Sequence, residues 1–150
     1  MIVVTGHEAP AIRAALAGLD VTFVVNPDFA LGLSTSLKAG LAGVPETASG
    51  ALVLLGDMPR VSAALAARLI AVHAAEPAAA AVAPVAGGRR GNPILLARAL
   101  FPAVATIGGD TGARALLDAT LDRVVEVPTT EDGVLIDIDT PEALARYTSE

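Results

Sequence analysis

The stretch Ala51-Leu52-Val53-Leu54-Leu55-Gly56-Asp57-Met58-Pro59 joins an apolar run to an acidic turn. Five consecutive apolar residues predict a strand that is buried on both faces, as the central strands of parallel sheets are. Asp57 follows this strand at its carboxyl end. Ligands of open α/β sheets bind at the carboxyl ends of the strands, so Asp57 is a candidate functional residue.

Short β-branched runs alternate with longer alanine-rich segments on both sides of this stretch. We predict strands at residues 2–4, 21–25, 51–55, 80–85, 93–96, 124–127 and 134–136. We predict helices at residues 9–17, 34–42, 63–75, 97–101, 112–119 and 141–147. This alternation is typical of βαβ units, so we expect an α/β fold with a mostly parallel sheet.

Composition bounds the class of protein. The length of 150 residues predicts a single domain over 1–150 with a sizeable core. The absence of cysteine excludes disulfide scaffolds, thiolate metal clusters and cysteine nucleophiles. A net charge of −6 argues against a nucleic acid polymer or an anionic membrane as partner. Every apolar run is broken before the roughly 20 residues that span a bilayer, and the first residues lack a signal-peptide pattern, so we expect a cytoplasmic protein.

Two acidic segments are candidates for a metal site. An aspartate at the end of a buried strand either accepts backbone N–H bonds in its turn or binds a metal, and Asp57 suits both readings. Asp137 and Asp139 lie on the same side of a predicted extended segment. Asp139 or Thr140 can instead cap the helix that starts at Pro141. Mg²⁺ is usually held by one or two carboxylates together with substrate phosphates, so Asp57 with Asp137 or Asp139 is a plausible magnesium site.

Three further segments have residues suited to an anion. Arg89-Arg90-Gly91-Asn92-Pro93 is either a phosphate or polar-substrate contact or a solvated hairpin tip. Gly108-Gly109-Asp110-Thr111-Gly112-Ala113-Arg114 either presents backbone N–H groups to an anion or simply caps a helix. The segment from Asn26 to Leu37 leads into a helix rich in hydroxyls, which suits a phosphate or a nucleobase edge, whereas Ser34 as a plain N-cap is the simpler explanation.

Taken in order, six segments resemble the molybdenum cofactor cytidylyltransferase family, within the MobA-like nucleotidyltransferase group. They are Val4-Thr5-Gly6, Asn26 to Leu37 with Gly40, Leu54 to Pro59, Arg90 to Pro93, Gly109 to Arg114 and Asp137 to Glu142. The resemblance implies a Rossmann-like three-layer sandwich. It also implies transfer of a nucleoside monophosphate from CTP or GTP to a molybdopterin-type acceptor, with Mg²⁺ and with release of pyrophosphate.

The resemblance also implies roles for individual residues. Asp57, Asp139 and Asp137 would be catalytic, with Asp57 and Asp139 as metal ligands. The nucleotide-binding residues would be Asn26, Ser34, Thr35, Ser36 and Gly56. The residues that face the acceptor substrate would be Arg90, Asn92, Asp110 and Arg114.

One part of the family pattern is not found in this sequence. The family begins with a strand and a Leu-Ala-Ala-Gly-x-x-x-Arg-x-Gly loop that cradles the triphosphate, and Met1 aligns with what looks like the family's second strand. Because nucleotidyl transfer needs charge neutralisation at the phosphates, we expect impaired catalysis. We also expect either that residues 1–4 pair with residues 51–55 or that a second copy of the chain covers the exposed sheet edge in a homo-oligomer.

Two other functions fit the same residues. One is a non-catalytic binding or assembly module on the same scaffold, which predicts retained partner binding without turnover. The other is a nucleotidyltransferase that acts on a sugar or polyol phosphate, because an aspartate pair would serve those acceptors equally well. The segment Arg90-Gly91-Asn92-Pro93 favours the molybdenum cofactor family.

Overall fold

The computed structural model describes residues 1–110, 112–113, 117 and 121–147. The chain divides into two compact units. The first unit contains Met1–Ala51 and Arg98–Leu121, and the second contains Leu52–Ala97 and Asp122–Glu150. The single-domain organisation expected from the length stays a prediction.

The described elements alternate between strands and helices. The strands are β1 Ile2–Thr5, β2 Thr22–Val25, β3 Gly50–Val53, β4 Ala81–Ala86, β5 Arg89–Arg90, β6 Ile94–Ala97 and β7 Val124–Pro128. The α-helices are α1 Ala9–Ala15, α2 Leu33–Ala42, α3 Ala63–Ala75, α4 Phe101–Val104 and α5 Pro141–Tyr147. Short 3-10 turns lie at Phe29–Leu31, Arg98–Leu100, Leu121–Arg123 and Asp132–Leu135.

In the first unit, β1 and β2 form a two-stranded parallel sheet. Helix α2 packs on this sheet through Gly40, where an added Cβ would lie 3.0 Å from the Cγ2 of Val4. A glycine at this position therefore lets the helix approach the strand closely. The pairing expected between residues 1–4 and 51–55 is wrong, because β1 pairs with β2 in a sheet of two strands. Coverage of an edge by a second copy stays a prediction.

In the second unit the sheet is mixed. Its order is β3-β6-β4-β5, and β7 also pairs with β4. Strand β4 is parallel to β7 and antiparallel to both β5 and β6. Helix α3 covers the sheet with Leu65 and Leu69, which pack into a core with Val82, Leu95 and Val127. The α/β fold class is confirmed, with antiparallel pairings added to the parallel ones.

Most predicted elements are confirmed in position. The expectation that residues 51–55 form a central strand buried on both faces is wrong, because β3 ends at Val53, lies at the end of the sheet order and is only half-buried, and Leu54 is 52% exposed. The other exceptions have local causes. Residues 134–136 are not a strand, because the chain makes the 3-10 turn Asp132–Leu135 with Gly133 pressed against the backbone of Arg60. Ala97 ends β6, and its N–H donates to the Ala80 carbonyl, so the helical turn starts one residue later. The predicted helix 112–119 falls largely outside the described residues. No helix in the described part of the chain combines the length and the hydropathy needed to cross a bilayer.

Candidate functional site

In the first unit, Asn26 orders the loop between β2 and α2. Its side chain is buried, and its Nδ2 donates to Thr35 Oγ1 at 2.8 Å and to Ser36 Oγ at 3.0 Å. Its Oδ1 accepts the Asp28 N–H at 3.0 Å. Both ends of the amide are therefore engaged within the protein. Asn26 fixes the hydroxyls at the start of α2, and its predicted contact with a nucleotide is not tested by this arrangement.

Helix α2 begins two residues earlier than the N-cap interpretation of Ser34 required. The N-cap position is Gly32, so Ser34 lies within the first turn, and the interpretation of Ser34 as an N-cap is wrong. The N–H of Ser34 donates to the Gly109 carbonyl at 3.1 Å. The Oγ of Ser34 is buried and has no hydrogen-bond partner among the described residues.

The glycine at position 32 is required by the loop that faces it. Gly32 has a φ of 109°, and an added Cβ would overlap the backbone of Gly109 and approach the Asp110 nitrogen to 2.7 Å. The Gly109–Asp110 backbone therefore lies directly against the start of α2. This contact brings the predicted acceptor residue Asp110, which is exposed, close to the predicted nucleotide residue Ser34. Arg114 lies outside the described residues.

In the second unit, Asp57 lies in the loop between β3 and α3, where Gly56 and Asp57 are both exposed. The neighbouring Met58 is only 6% exposed and fixes the loop to the core. The Asp57 carboxylate makes no hydrogen bond or ion pair with any residue that the structure describes. The interpretation of Asp57 as an acceptor of turn N–H groups is therefore wrong.

The second acidic segment meets the first through the backbone. Ile138, which lies between Asp137 and Asp139, donates its N–H to the Asp57 carbonyl at 2.8 Å. Both flanking aspartates are exposed, and their carboxylates have no partner within the described ranges. Helix α5 is capped by Thr140, whose Oγ1 accepts the Ala143 N–H at 3.2 Å. The predicted cap is therefore confirmed at Thr140, and it leaves the Asp139 carboxylate available.

The chemistry of this acidic set fits a divalent cation. Carboxylate oxygens are hard ligands of the kind that Mg²⁺ and Mn²⁺ prefer. Among the residues described, no group of three histidine, aspartate or glutamate side chains is arranged to hold a metal alone. A site of one or two carboxylates matches the usual way of binding Mg²⁺, in which substrate phosphates complete the coordination.

The predicted acceptor segment of the second unit is held by its neighbours. Arg90 lies in β5, and its Nε approaches Glu126 Oε1 to 2.6 Å on the sheet surface. Asn92 is half-buried, and its N–H donates to the Val134 carbonyl at 2.9 Å. An added Cβ at Gly91 would overlap the same Val134 carbonyl. The hairpin turn itself is Gly87-Gly88, so Arg89 and Arg90 follow it as a short strand and do not form its tip.

Sequence reasoning missed Glu131. Its Oε1 accepts the hydroxyl of Ser62 at 2.9 Å, and its Oε2 accepts the Ser62 N–H at 3.3 Å. Ser62 is the N-cap of α3 and accepts the Leu65 N–H at 3.0 Å. A capping box would place the acidic residue three positions after the cap, where this chain has Leu65. The carboxylate comes from 69 residues further along the chain, so no local signal predicts it.

These features define a Rossmann-like α/β protein in which Asn26 and Asp57 lie in loops that follow strands. Comparison with known families gives the particular group. The chain belongs to the MobA-like NTP transferase domain family, whose model matches residues 1–124.

Three relatives illustrate this membership. The chain is 31% identical to nicotine blue oxidoreductase of Paenarthrobacter nicotinovorans, over 97% of this chain and 74% of that protein. It is 28% identical to molybdenum cofactor cytidylyltransferase of Escherichia coli K12, over 99% of this chain and 76% of that protein. The crystal structure of Rv0371c from Mycobacterium tuberculosis H37Rv is 30% identical, with a TM-score of 0.80 over 99% of this chain and 75% of that one. A second crystal structure of Rv0371c is a complex with manganese and has a TM-score of 0.79.

Proposed function

We propose that this protein is a nucleotidyltransferase that transfers a nucleoside monophosphate from CTP or GTP to a molybdopterin-type acceptor and releases pyrophosphate. The relative named molybdenum cofactor cytidylyltransferase, which matches 99% of the chain, supports the reaction class. The observation that carries the proposal is the hydrogen bond between the Ile138 N–H and the Asp57 carbonyl, which places the Asp57 loop beside the segment that holds Asp137 and Asp139. All three aspartates are exposed, and their carboxylates have no partner among the described residues. A cytoplasmic location stays a prediction.

We assign the metal to Asp57 and Asp139, with Asp137 beside them. A bound Mg²⁺ or Mn²⁺ would supply positive charge to the phosphates of the nucleotide. The contribution of the protein is placement: Met58 holds the Asp57 turn to the core, and Thr140 caps α5 in place of Asp139. The manganese complex of Rv0371c supports a divalent ion in this family, and Mg²⁺ is our choice for this chain.

The nucleotide is proposed to contact Ser34, Thr35, Ser36 and Gly56. The first three lie in the first turn of α2, where the helix dipole favours negative charge. The N–H groups of Ser34 and Thr35 already donate to the carbonyls of Gly109 and Gly32, so the contact would be made through the field of the helix and the hydroxyls. Asn26 holds Thr35 and Ser36 in place from behind. On the acceptor side we propose Arg90, Asn92, Asp110 and Arg114.

The name of the relative nicotine blue oxidoreductase supports a second candidate, a redox activity on a substrate related to nicotine blue. A non-catalytic module and a transferase for sugar or polyol phosphates complete the alternatives. Each predicts a different substrate profile from the same purified protein. Oxidoreduction requires a change in the oxidation state of the substrate, transfer requires release of pyrophosphate, and a module binds without either reaction.

Calorimetric titration of CTP and GTP, with and without Mg²⁺, tests the proposal in the wild type, in Asp57→Ala and in Asp122→Ala. Asp122 is an exposed carboxylate of the same unit, so its removal changes the charge equally without touching the proposed site. We expect metal-dependent binding that Asp57→Ala abolishes and Asp122→Ala retains. The same nucleotide affinity with and without Mg²⁺, or wild-type nucleotide affinity in Asp57→Ala, would contradict the proposal. Pyrophosphate release from the nucleotides and conversion of added nicotine blue, measured with the same protein samples, separate the alternatives.

A further inference from the structure

Two loops of the second unit run against each other over much of their length. The first is residues 57–62, between β3 and α3, and the second is residues 131–138, which follow β7. Four contacts join them. They are Ser62 with Glu131, Arg60 with Asp132, the Arg60 backbone with Gly133, and Asp57 with Ile138.

Glu131 makes the strongest of these contacts. Both of its carboxylate oxygens are engaged by Ser62, one by the N–H and one by the hydroxyl, in a half-buried position. Hydrogen bonds to an ionised carboxylate are stronger than bonds between neutral groups, and a negative charge at a helix start is stabilised by the helix dipole. The Glu131 N–H also donates to Thr129 Oγ1 at 3.2 Å, which fixes its own backbone.

The other side-chain contact between the loops is weaker. Arg60 Nη2 and Asp132 Oδ1 are 3.5 Å apart, and the side chain of Asp132 is 67% exposed. Exposed ion pairs of this kind contribute little, because solvent screens them. The close approach of Gly133 to Arg60 sets the spacing of the loops but does not attract them.

We propose that Glu131 is a positioning residue for the acidic site. By tying Ser62 to the second loop, it holds the Asp57 turn at the distance where Asp57 and Ile138 share their hydrogen bond. Asp57 has no side-chain partner among the described residues, so its placement depends on its backbone alone. This inference rests on the proposed function, in which Asp57 and Asp139 bind one cation.

The affinity of the whole chain for Mn²⁺ tests whether Glu131 positions the acidic site. It is measured from the electron paramagnetic resonance signal of free Mn²⁺. Loss of groups that orient metal ligands typically lowers metal affinity about 10- to 100-fold, so we expect about a tenfold loss in Glu131→Ala. Glu131→Gln keeps one accepting oxygen for the Ser62 hydroxyl, so its Mn²⁺ affinity should fall less than that of Glu131→Ala. Val82→Ala removes a fully buried methyl pair of the same unit, so it should lower stability while leaving Mn²⁺ affinity unchanged. Wild-type affinity in Glu131→Ala, or an equal loss in Val82→Ala, would overturn the proposal.

Amide exchange in the metal-free protein separates this inference from the proposed function. In Glu131→Ala the Ile138 amide should exchange about tenfold faster, while amides of the β4–β7 ladder keep their protection. Unchanged exchange at Ile138 would overturn the positioning role whether or not the protein binds metal. If the wild type shows no Mn²⁺ binding but Ile138 exchange rises as expected, the positioning of Asp57 holds and the proposed function fails.

Discussion

The N–H of Ile138 donates a hydrogen bond of 2.8 Å to the carbonyl of Asp57, across 81 positions of the chain. This bond joins the loop after β3 to the segment that precedes α5. It is a backbone contact, so it does not depend on the identity of either side chain. Its consequence is that Asp57 lies beside a segment in which an aspartate stands on each side of the bonded residue.

Glycine 91 is expected to be intolerant of a side chain. The Cβ of Gly91→Ala would overlap the Val134 carbonyl, which also accepts the Asn92 N–H. Because the neighbours are backbone atoms, relief requires the loop to move, and we expect a loss of about 2 kcal/mol or more in the free energy of unfolding. Urea denaturation measures it.

Gly56→Ala provides the matched control for Gly91→Ala. A Cβ at Gly56 would meet no atom within 4 Å, and its φ lies outside the left-handed region. Its stability should stay within about 0.5 kcal/mol of the wild type. Similar urea midpoints of unfolding for Gly91→Ala and Gly56→Ala would contradict the packing described around Val134.

Gly32 is subject to two constraints, a positive φ and close backbone neighbours, whereas Gly18 is subject to the first alone. Gly32 and Gly18 both have positive φ, but only Gly32 has neighbours within 4 Å, the backbone atoms of Gly109 and Asp110. Gly18→Ala should therefore cost about 1 kcal/mol from backbone strain alone. Gly32→Ala should cost clearly more, as measured by thermal unfolding. Equal losses would mean that the Gly109 loop does not press on the start of α2.

The pair of Ser62 and Glu131 is expected to be energetically coupled. Ser62→Ala removes an N-cap, which typically costs about 1 kcal/mol, and also leaves the Glu131 carboxylate without its donor hydroxyl. A double-mutant cycle with Glu131→Ala should give a coupling energy of about 0.5 to 3 kcal/mol from chemical denaturation. Additive losses would show that the two residues act independently.

Arginine 98 is expected to resist replacement by lysine. Its guanidinium donates to the carbonyls of Ala48 and Pro45 and lies 4.9 Å from the ring centre of Phe101. A lysine has neither the planar fork nor the same stacking surface, so Arg98→Lys should lose about 1 to 2 kcal/mol in the free energy of unfolding. Arg13, which stacks on Phe23 and makes no carbonyl bond among the described residues, provides the comparison, and Arg13→Lys should lose less than 1 kcal/mol.

The sequence is most predictive where structure depends on neighbours along the chain. Helix α3 was predicted over its whole length, because its alanine-rich pattern is a local feature. Asp57, in the loop that follows β3, was identified in the same way, from an apolar run that stops at a turn. The sequence offered Asp137 and Asp139 as candidate neighbours of Asp57 but did not predict the contact through Ile138, because that segment comes from the far end of the chain.

The parts that could not be predicted depend on distant contacts. The 3-10 turn at residues 132–135 replaces a strand, because Gly133 must fit against Arg60, more than 70 positions away. The partner of Ser62 is likewise 69 positions away. Ser34 has the residue type of an N-cap, but the approach of Gly109 to Gly32 shifts the helix start, and its hydroxyl is left buried without a described partner.

The most direct test of the account is Mn²⁺ affinity in the presence of CTP, measured by electron paramagnetic resonance for the wild type, Asp57→Asn, Asp139→Asn and the double variant. If Asp57 and Asp139 hold one ion together with the nucleotide phosphates, each single substitution weakens binding strongly, and the double variant loses little more, because the site is already broken. Wild-type affinity in Asp57→Asn would contradict the central claim that Asp57 binds the metal.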